Sequence, residues 1–270
     1  MTPSSRSLAL VTGASSGLGA AFAKRLARDG HNLILVARRK DRLEQLAVRL
    51  RADHAIQVEV LPADLTEERD VHRVESRISQ GPALALLVNN AGFGGYGSFI
   101  DLDPEVAEDL ILLQVLAVTR LTRAALPGMI AAGGGAVINV SSRLGYSAAL
   151  PTPPLPKRAT YAGAKAFLNT FTQLLAAELA GSGVSVQALC PGVIRTEFHQ
   201  VMGIDPASYP AAIVMSAEDV VQASLAALPR GEVVCLPALE DPALLTKIDD
   251  AQRELFDQTR SGTLAARYRA

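Results

Sequence analysis

Tyr161 and Lys165 stand four residues apart in the run Tyr161-Ala-Gly-Ala-Lys165, so on a helix their side chains share a face. A free phenol titrates at about 10, too high for an efficient base at neutral pH, and a nearby ammonium favours the phenolate. Such a pair can hand a proton to or from a substrate oxygen. Ser142, 19 positions before Tyr161, could donate a hydrogen bond to the same oxygen as charge develops on it. A Tyr-x-x-x-Lys pair also arises by chance on amphipathic helices, so its meaning depends on what the rest of the chain supplies.

A second constellation is Gly13-Ala-Ser15-Ser16-Gly17-Leu18-Gly19, which follows the unbroken apolar run Leu8–Val11 and precedes a helical pattern from Ala20 to Arg28. A strand that passes through a glycine turn into a helix leaves unpaired N–H groups and the positive end of a dipole facing outward, which suits a phosphate. The spacing is G-x-x-x-G-x-G, not the commoner G-x-G-x-x-G, and three glycines alone could be a tight turn. Arg38 and Arg39 close the next apolar run, Asn32–Ala37, where many dinucleotide folds carry an acid for the ribose hydroxyls. A guanidinium from Arg38 suits a 2′-phosphate instead, so NADP(H) is expected over NAD(H); a solvated basic face is the plainer alternative.

These groups need elements to hold them. Apolar runs at Gln57–Leu61, Ala83–Val88, Ala136–Val140, Val184–Leu189 and Glu232–Leu236 read as further strands, and helical patterns alternate with them. The pattern implies an α/β fold with a doubly wound, mainly parallel sheet and helices on both faces. In such sheets ligands bind beyond the carboxyl ends of the strands. Gly13, Arg38, Asp64, Asn90, Ser142 and Pro191 all fall at such ends. Asp64 could cap a helix starting near Glu67 or accept a bond from an adenine amino group. The stretch 198–215 is long and poorly patterned, of the functional kind, and 237–270 reads as a partly helical extension. One catalytic domain over 1–270 is expected.

In this order the residues Thr12-Gly13-Ala-Ser-Ser-Gly17-Leu-Gly19, Asp64, Asn89-Asn90-Ala91-Gly92, Ser142, Tyr161-Ala-Gly-Ala-Lys165 and Pro191-Gly192 with Thr196 resemble the short-chain dehydrogenase/reductase family, in its single-domain branch. The resemblance implies a Rossmann-type seven-stranded sheet, Tyr161 as acid/base, Lys165 lowering its pKa, and Ser142 orienting the substrate oxygen. It implies cofactor contacts from the glycine turn, Asp64, Leu65, Asn90, Ala91, Gly92, Tyr161, Lys165, Pro191, Gly192, Ile194 and Thr196, with Ser15 beside Arg38. The expected reaction interconverts a ketone or aldehyde and an alcohol with NADP(H), and dimers or tetramers are common in the family.

Two positions depart from the family pattern. Gln114 stands where many members carry an asparagine that helps relay protons to the lysine. The interval from Ser142 to Tyr161 is several residues longer than usual, with Pro151, Pro153, Pro154 and Pro156 in the surplus. The glutamine leaves a second reading open, a cofactor-binding sensor or scaffold with impaired catalysis. An epimerase or dehydratase of the longer branch fits less well, because the glycine spacing differs and little chain remains for a second domain. Phe93, Tyr96, Leu144, Tyr146, Leu150, Phe198 and Met202 are rim candidates that hint at an apolar substrate.

Composition sets outer bounds. Hydrophobic residues make up 49% against 20% charged, which excludes disorder as the main state. A formal net charge of −1 gives no basic footprint for nucleic acid. Cys190 and Cys235 form neither a disulfide framework nor a metal cluster, and no metal site is expected. Ala124–Ser142 is uncharged, but Pro127-Gly128 and the triple glycine at 133–135 break it, so no membrane span is expected. A cytoplasmic protein is the default expectation.

Overall fold

The computed structural model describes residues 6–198 and 208–269. The chain forms two compact units, Met1–Pro237 and Ala238–Ala270. In place of the one domain expected over 1–270, the stretch from Ala238 forms a compact unit of its own, carrying the helix Ala243–Gln258 with Leu244, Leu255 and Phe256 exposed.

In the first unit, strands and helices alternate: β1 (Leu8–Thr12), α1 (Gly17–Arg28), β2 (Asn32–Ala37), α2 (Lys40–His54), β3 (Val58–Pro62), α3 (Glu68–Gln80) and β4 (Leu84–Asn89). Then come α4 (Pro104–Ile111), a π turn (Leu112–Leu116), α5 (Ala117–Ala131), β5 (Gly135–Val140), α6 (Ala159–Glu178) and β6 (Val184–Leu189). The short strands β7 (Val193–Ile194) and β8 (Val214–Met215) pair with each other, α7 spans Ala217–Ala227, and β9 is Val234–Cys235. Seven strands form one sheet in the order β3-β2-β1-β4-β5-β6-β9, with every pair parallel.

The central strands are apolar without alternation because both faces are covered. Ala9, Val11, Leu33 and Leu35 belong to a core shared with α1, α2 and α7. Their neighbours Leu10, Ile34 and Val36 point the other way, into a core shared with α3, α5 and α6. The strand order reverses between β1 and β4, the place where such sheets open a crevice at their carboxyl edge.

Helix starts follow their residue types. Asp103 accepts a bond from the Glu105 N–H with Pro104 at the first helical position, and Ser216 caps α7 through the Asp219 N–H. Asp64 does not cap α3, which begins at Glu68. Its carboxylate instead accepts from the Thr66 N–H at 3.1 Å and the Thr66 hydroxyl at 2.8 Å, a local turn ahead of the helix. The stretch Pro104–Ala131 is long and apolar enough to cross a membrane by length and composition. In this structure α5 packs against α3, β4 and β5.

Candidate active site

The glycine turn is built by close approach. Gly13 and Gly17 take φ of +66° and +54°, which L side chains rarely adopt. A Cβ on Gly19 would lie 2.5 Å from the Asn90 Nδ2 and against the Gly13 carbonyl, and one on Gly17 would meet Thr196 at 3.1 Å. Asn90 braces this corner by donating to the Thr12 carbonyl at 2.8 Å. The Thr12 hydroxyl in turn accepts from the Asn90 and Ala91 N–H groups, both at 2.9 Å. The start of α1 has no acid in its first turn, and Ser16 at the cap makes no side-chain capping bond. That leaves an uncontested N-terminus, the chemistry a diphosphate requires.

Arg38 and Arg39 divide the work differently from the sequence expectation. Arg38 lies 3.6 Å from Asp64. Ser15 stands beside Arg39, whose guanidinium donates to Ser15 Oγ at 3.0 and 3.1 Å, to Ser16 Oγ at 2.6 Å and to Glu197 at 3.1 Å. Arg42 holds the same Glu197 carboxylate at 2.8 Å, and the two arginines keep that acid below the usual carboxylate range. The Arg-Arg pair was the available signal, but spacing could not say which member turns toward the serines.

Ser142 lies two residues beyond β5, where its hydroxyl accepts from the Leu144 N–H, and Tyr161 and Lys165 lie on the first turns of α6; all three are buried. The Lys165 ammonium sits 5.5 Å from the centre of the Tyr161 ring and donates to the Val140 carbonyl at 2.9 Å. The Tyr96 ring meets Tyr161 edge-to-face at 5.1 Å, and Phe198 packs on it at 6.2 Å. Burial, together with Tyr96, holds the Tyr161 phenol well above its ordinary value, opposed by a hydrogen bond from Ser142. Burial also pushes Lys165 down to about 7. The expected lowering of the phenol by the lysine is thus not a property of the chain alone: the enclosure that pairs the two groups penalises the charged form of each.

The interval before α6 is organised by Arg158, which is buried with no carboxylate partner among the described residues. Its Nε donates to Ser147 Oγ at 2.8 Å, and its two terminal nitrogens to Thr152 Oγ1, Pro156 O, Ser147 O and Leu150 O at 2.8–3.1 Å. All five N–H donors of the guanidinium are therefore used. The Gly97 N–H donates to the Lys157 carbonyl at 2.9 Å, which ties this loop to the rim at 93–97. Sequence reading found the surplus residues but not the arginine that folds them.

These elements enclose a cavity of about 370 Å³. It is lined by Gly13, Ser15, Ser16, Gly17, Leu18, Arg38, Asp64, Leu65, Asn90, Ala91, Gly92, Ser142, Tyr161, Lys165, Pro191, Gly192, Ile194 and Thr196. Gly19 serves the packing behind it. Gln114 is not in the wall: it lies in the π turn, its amide donates to the Phe93 carbonyl at 2.9 Å, and its buried Oε1 has no partner among the described residues. The glutamine thus ties the rim through Phe93, its amide reaching out from the helix to the 93–97 segment. Phe93, Tyr96, Leu144 and Phe198 line the cavity with Leu155 and Pro156, whereas Leu150 is exposed and Tyr146 stands outside the wall. Met202 and the rest of 199–207 lie outside the described residues. Among the described residues no His, Cys, Asp and Glu side chains gather to hold a metal ion.

A doubly wound parallel sheet with a glycine-turn cavity at its switch point defines a nucleotide-binding α/β protein. Residues 7–206 match the short chain dehydrogenase model, and the chain belongs to that family of nicotinamide-dependent oxidoreductases. Among solved structures it is similar to a short-chain dehydrogenase from Sphingobium yanoikuyae in complex with NADPH. That chain is 40% identical with a TM-score of 0.91, and the match covers 97% of this chain and 100% of the other. It is also similar to the bulky-bulky ketone specific alcohol dehydrogenase from Comamonas testosteroni, 34% identical with a TM-score of 0.88, over 99% and 100% of the two chains. A very-long-chain 3-oxoacyl-CoA reductase from Anas platyrhynchos is 33% identical over 199 residues, 72% of this chain but 61% of that protein.

Proposed function

We propose that the protein is an NADP(H)-dependent oxidoreductase that interconverts a carbonyl compound and an alcohol. The observation that carries the reading is the meeting of Ser142, Tyr161 and Lys165 with the glycine cradle in one cavity. NADP(H) is supported by Arg39 at Ser15 and Ser16, by Arg38 at the same edge, and by the NADPH bound in the Sphingobium relative. When bound, the nicotinamide supplies or accepts the hydride, and the protein supplies position and proton.

In this reading the Ser142 hydroxyl donates to the substrate oxygen, and the Tyr161 hydroxyl gives that oxygen a proton during reduction. The raised phenol stays protonated across the neutral range, so the tyrosine is poised as an acid. Oxidation needs the phenolate, whose stabilisation must come largely from positive charge brought by the oxidised cofactor. Lys165 would hold the cofactor ribose when it is bound, and its ammonium stands 5.5 Å from the centre of the Tyr161 ring. The aromatic wall of Phe93, Tyr96 and Phe198 accepts an apolar body, in keeping with the bulky ketones in the Comamonas relative's name.

The test pairs binding with turnover. Tyr161→Phe should lose about a thousandfold or more in carbonyl reduction while NADPH affinity, read by nucleotide fluorescence, stays within a few-fold of the native chain. NADPH should bind more tightly than NADH in both. Substantial turnover in the phenylalanine variant would sink the tyrosine as the acid, and equal binding of the two nucleotides would sink the NADP(H) preference.

A further inference from the structure

The cations of the cavity differ in whether an acid answers them. Arg38 lies 3.6 Å from Asp64 and Arg39 3.1 Å from Glu197, both at the glycine-turn end. Lys165 is buried and committed to the Val140 carbonyl. Arg143 is different. It directly follows Ser142, lines the cavity and is exposed. Its side chain runs along Gly192, with Nε, Cδ and Cζ 3.6–3.7 Å from where a Cβ there would stand. Among the described residues no carboxylate comes within ion-pair distance of it.

Asp64 and Glu197 are the acids among the described lining residues, and both face the arginines of the cofactor end. The substrate end, walled by Phe93, Tyr96, Leu144, Leu155 and Phe198, therefore carries one full positive charge and no negative one among those residues. A cleft of one sign with apolar walls focuses the field and concentrates the opposite charge. Burial, with Tyr209, pushes the Tyr96 phenol up to about 12, and the Arg143 charge is a minor opposing influence.

We propose that Arg143 anchors a carboxylate carried by the substrate, so that the preferred carbonyl compounds are oxo acids with an apolar body. This rests on the carbonyl–alcohol reading above. The planar fork of a guanidinium matches a carboxylate with two parallel bonds. Arg143 follows Ser142 in the chain and lines the same cavity, so the proposal calls for a substrate whose anion lies close to its reacting carbonyl. A phosphate at the far end of a carrier molecule does not meet that condition. The aromatic wall then takes the rest of the substrate.

The experiment uses the full chain, NADPH, and two probes that differ in charge: 2-oxo-4-phenylbutanoate and its ethyl ester. The ratio of kcat/KM for acid over ester is measured in the native chain, in R143M and in R143K. R143M should lower that ratio about tenfold or more, chiefly through the KM of the acid, and R143K should recover part of it. A calorimetric titration of 4-phenylbutanoate and of 4-phenylbutanamide in the presence of NADP+ reads the same anchor without turnover. The acid should bind better than the amide to the native chain and lose that advantage in R143M. A ratio unchanged within twofold, or a binding advantage that survives R143M, overturns the proposal. If neither probe is reduced with either nucleotide, the carbonyl–alcohol reading fails, and the calorimetric comparison still decides the anchor.

Discussion

At the cofactor end of the cavity, Thr12, Asn90 and three glycines fasten β1, α1 and β4 through short side chain–backbone bonds and close backbone approach. At the substrate end the wall is made of side chains on loops, and the segment 147–157 hangs on the five bonds of Arg158. A polar chain runs behind both ends: Asn89 donates to Thr122 and Asn139, and Asn139 to Thr172, linking α5, β4, β5 and α6 inside the core. The difference teaches where change is tolerated. Backbone contacts leave no room for a new atom, whereas a loop held by one side chain can be recast if that side chain finds its acceptors.

The largest contrast should come from Gly19→Ala. Its methyl would press on the Gly13 carbonyl and on Asn90, neither of which is the free end of a flexible chain. We expect NADPH affinity to fall on the order of a hundredfold, or the chain to lose its fold, in line with the penalties of overpacking. Fluorescence titration alongside circular dichroism separates the two outcomes, and normal binding would mean the corner is looser than described.

Arg158→Met probes the other end. It strands the acceptors around Ser147 and Pro156, which costs about 2 kcal/mol of stability or more, seen in chemical denaturation. KM for a bulky ketone should rise about tenfold, while NADPH affinity stays within twofold. An equal loss at both ends would erase the contrast drawn here.

The smallest effect lies where the two ends meet, at Lys165. Burial puts its pKa at about 7, so at pH 8 the free protein carries it mostly neutral. A nucleotide that prefers the ammonium raises that pKa, and binding must take up a proton. Calorimetry of NADPH binding at pH 8 in buffers of different ionisation enthalpy should show uptake, with affinity falling a few-fold from pH 7 to 9. No uptake would remove Lys165 from the ribose.

Much of this was legible in the chain because strand ends are marked by residue type. The apolar runs fixed seven strands and their parallel packing, and the glycines, Ser142 and the Tyr161–Lys165 spacing located the cavity. What could not be read depends on where a long side chain turns. Arg39, not Arg38, reaches the serines; Gln114 holds Phe93; Arg158 gathers a loop whose prolines alone suggested stiffness. Asp64 reads in the sequence as a helix cap or an adenine contact, and neither its local turn with Thr66 nor its pairing with Arg38 could be seen there. The balance between burial and charge at Tyr161 was equally hidden, since it depends on enclosure by Tyr96 and Phe198 from distant parts of the chain.

The π turn at Leu112–Leu116 has a consequence for phase. A regular helix advances about 100° per residue, and one wider turn resets that count for everything after it. Before the turn, α4 packs against α6; after it, α5 faces α3, β4 and β5. One continuous rod thus serves two differently oriented surfaces, with Gln114 at the seam. The extra residue works as a half-step in a screw thread, letting a single stretch of chain carry the rim of the cavity and the floor of the sheet in register with both.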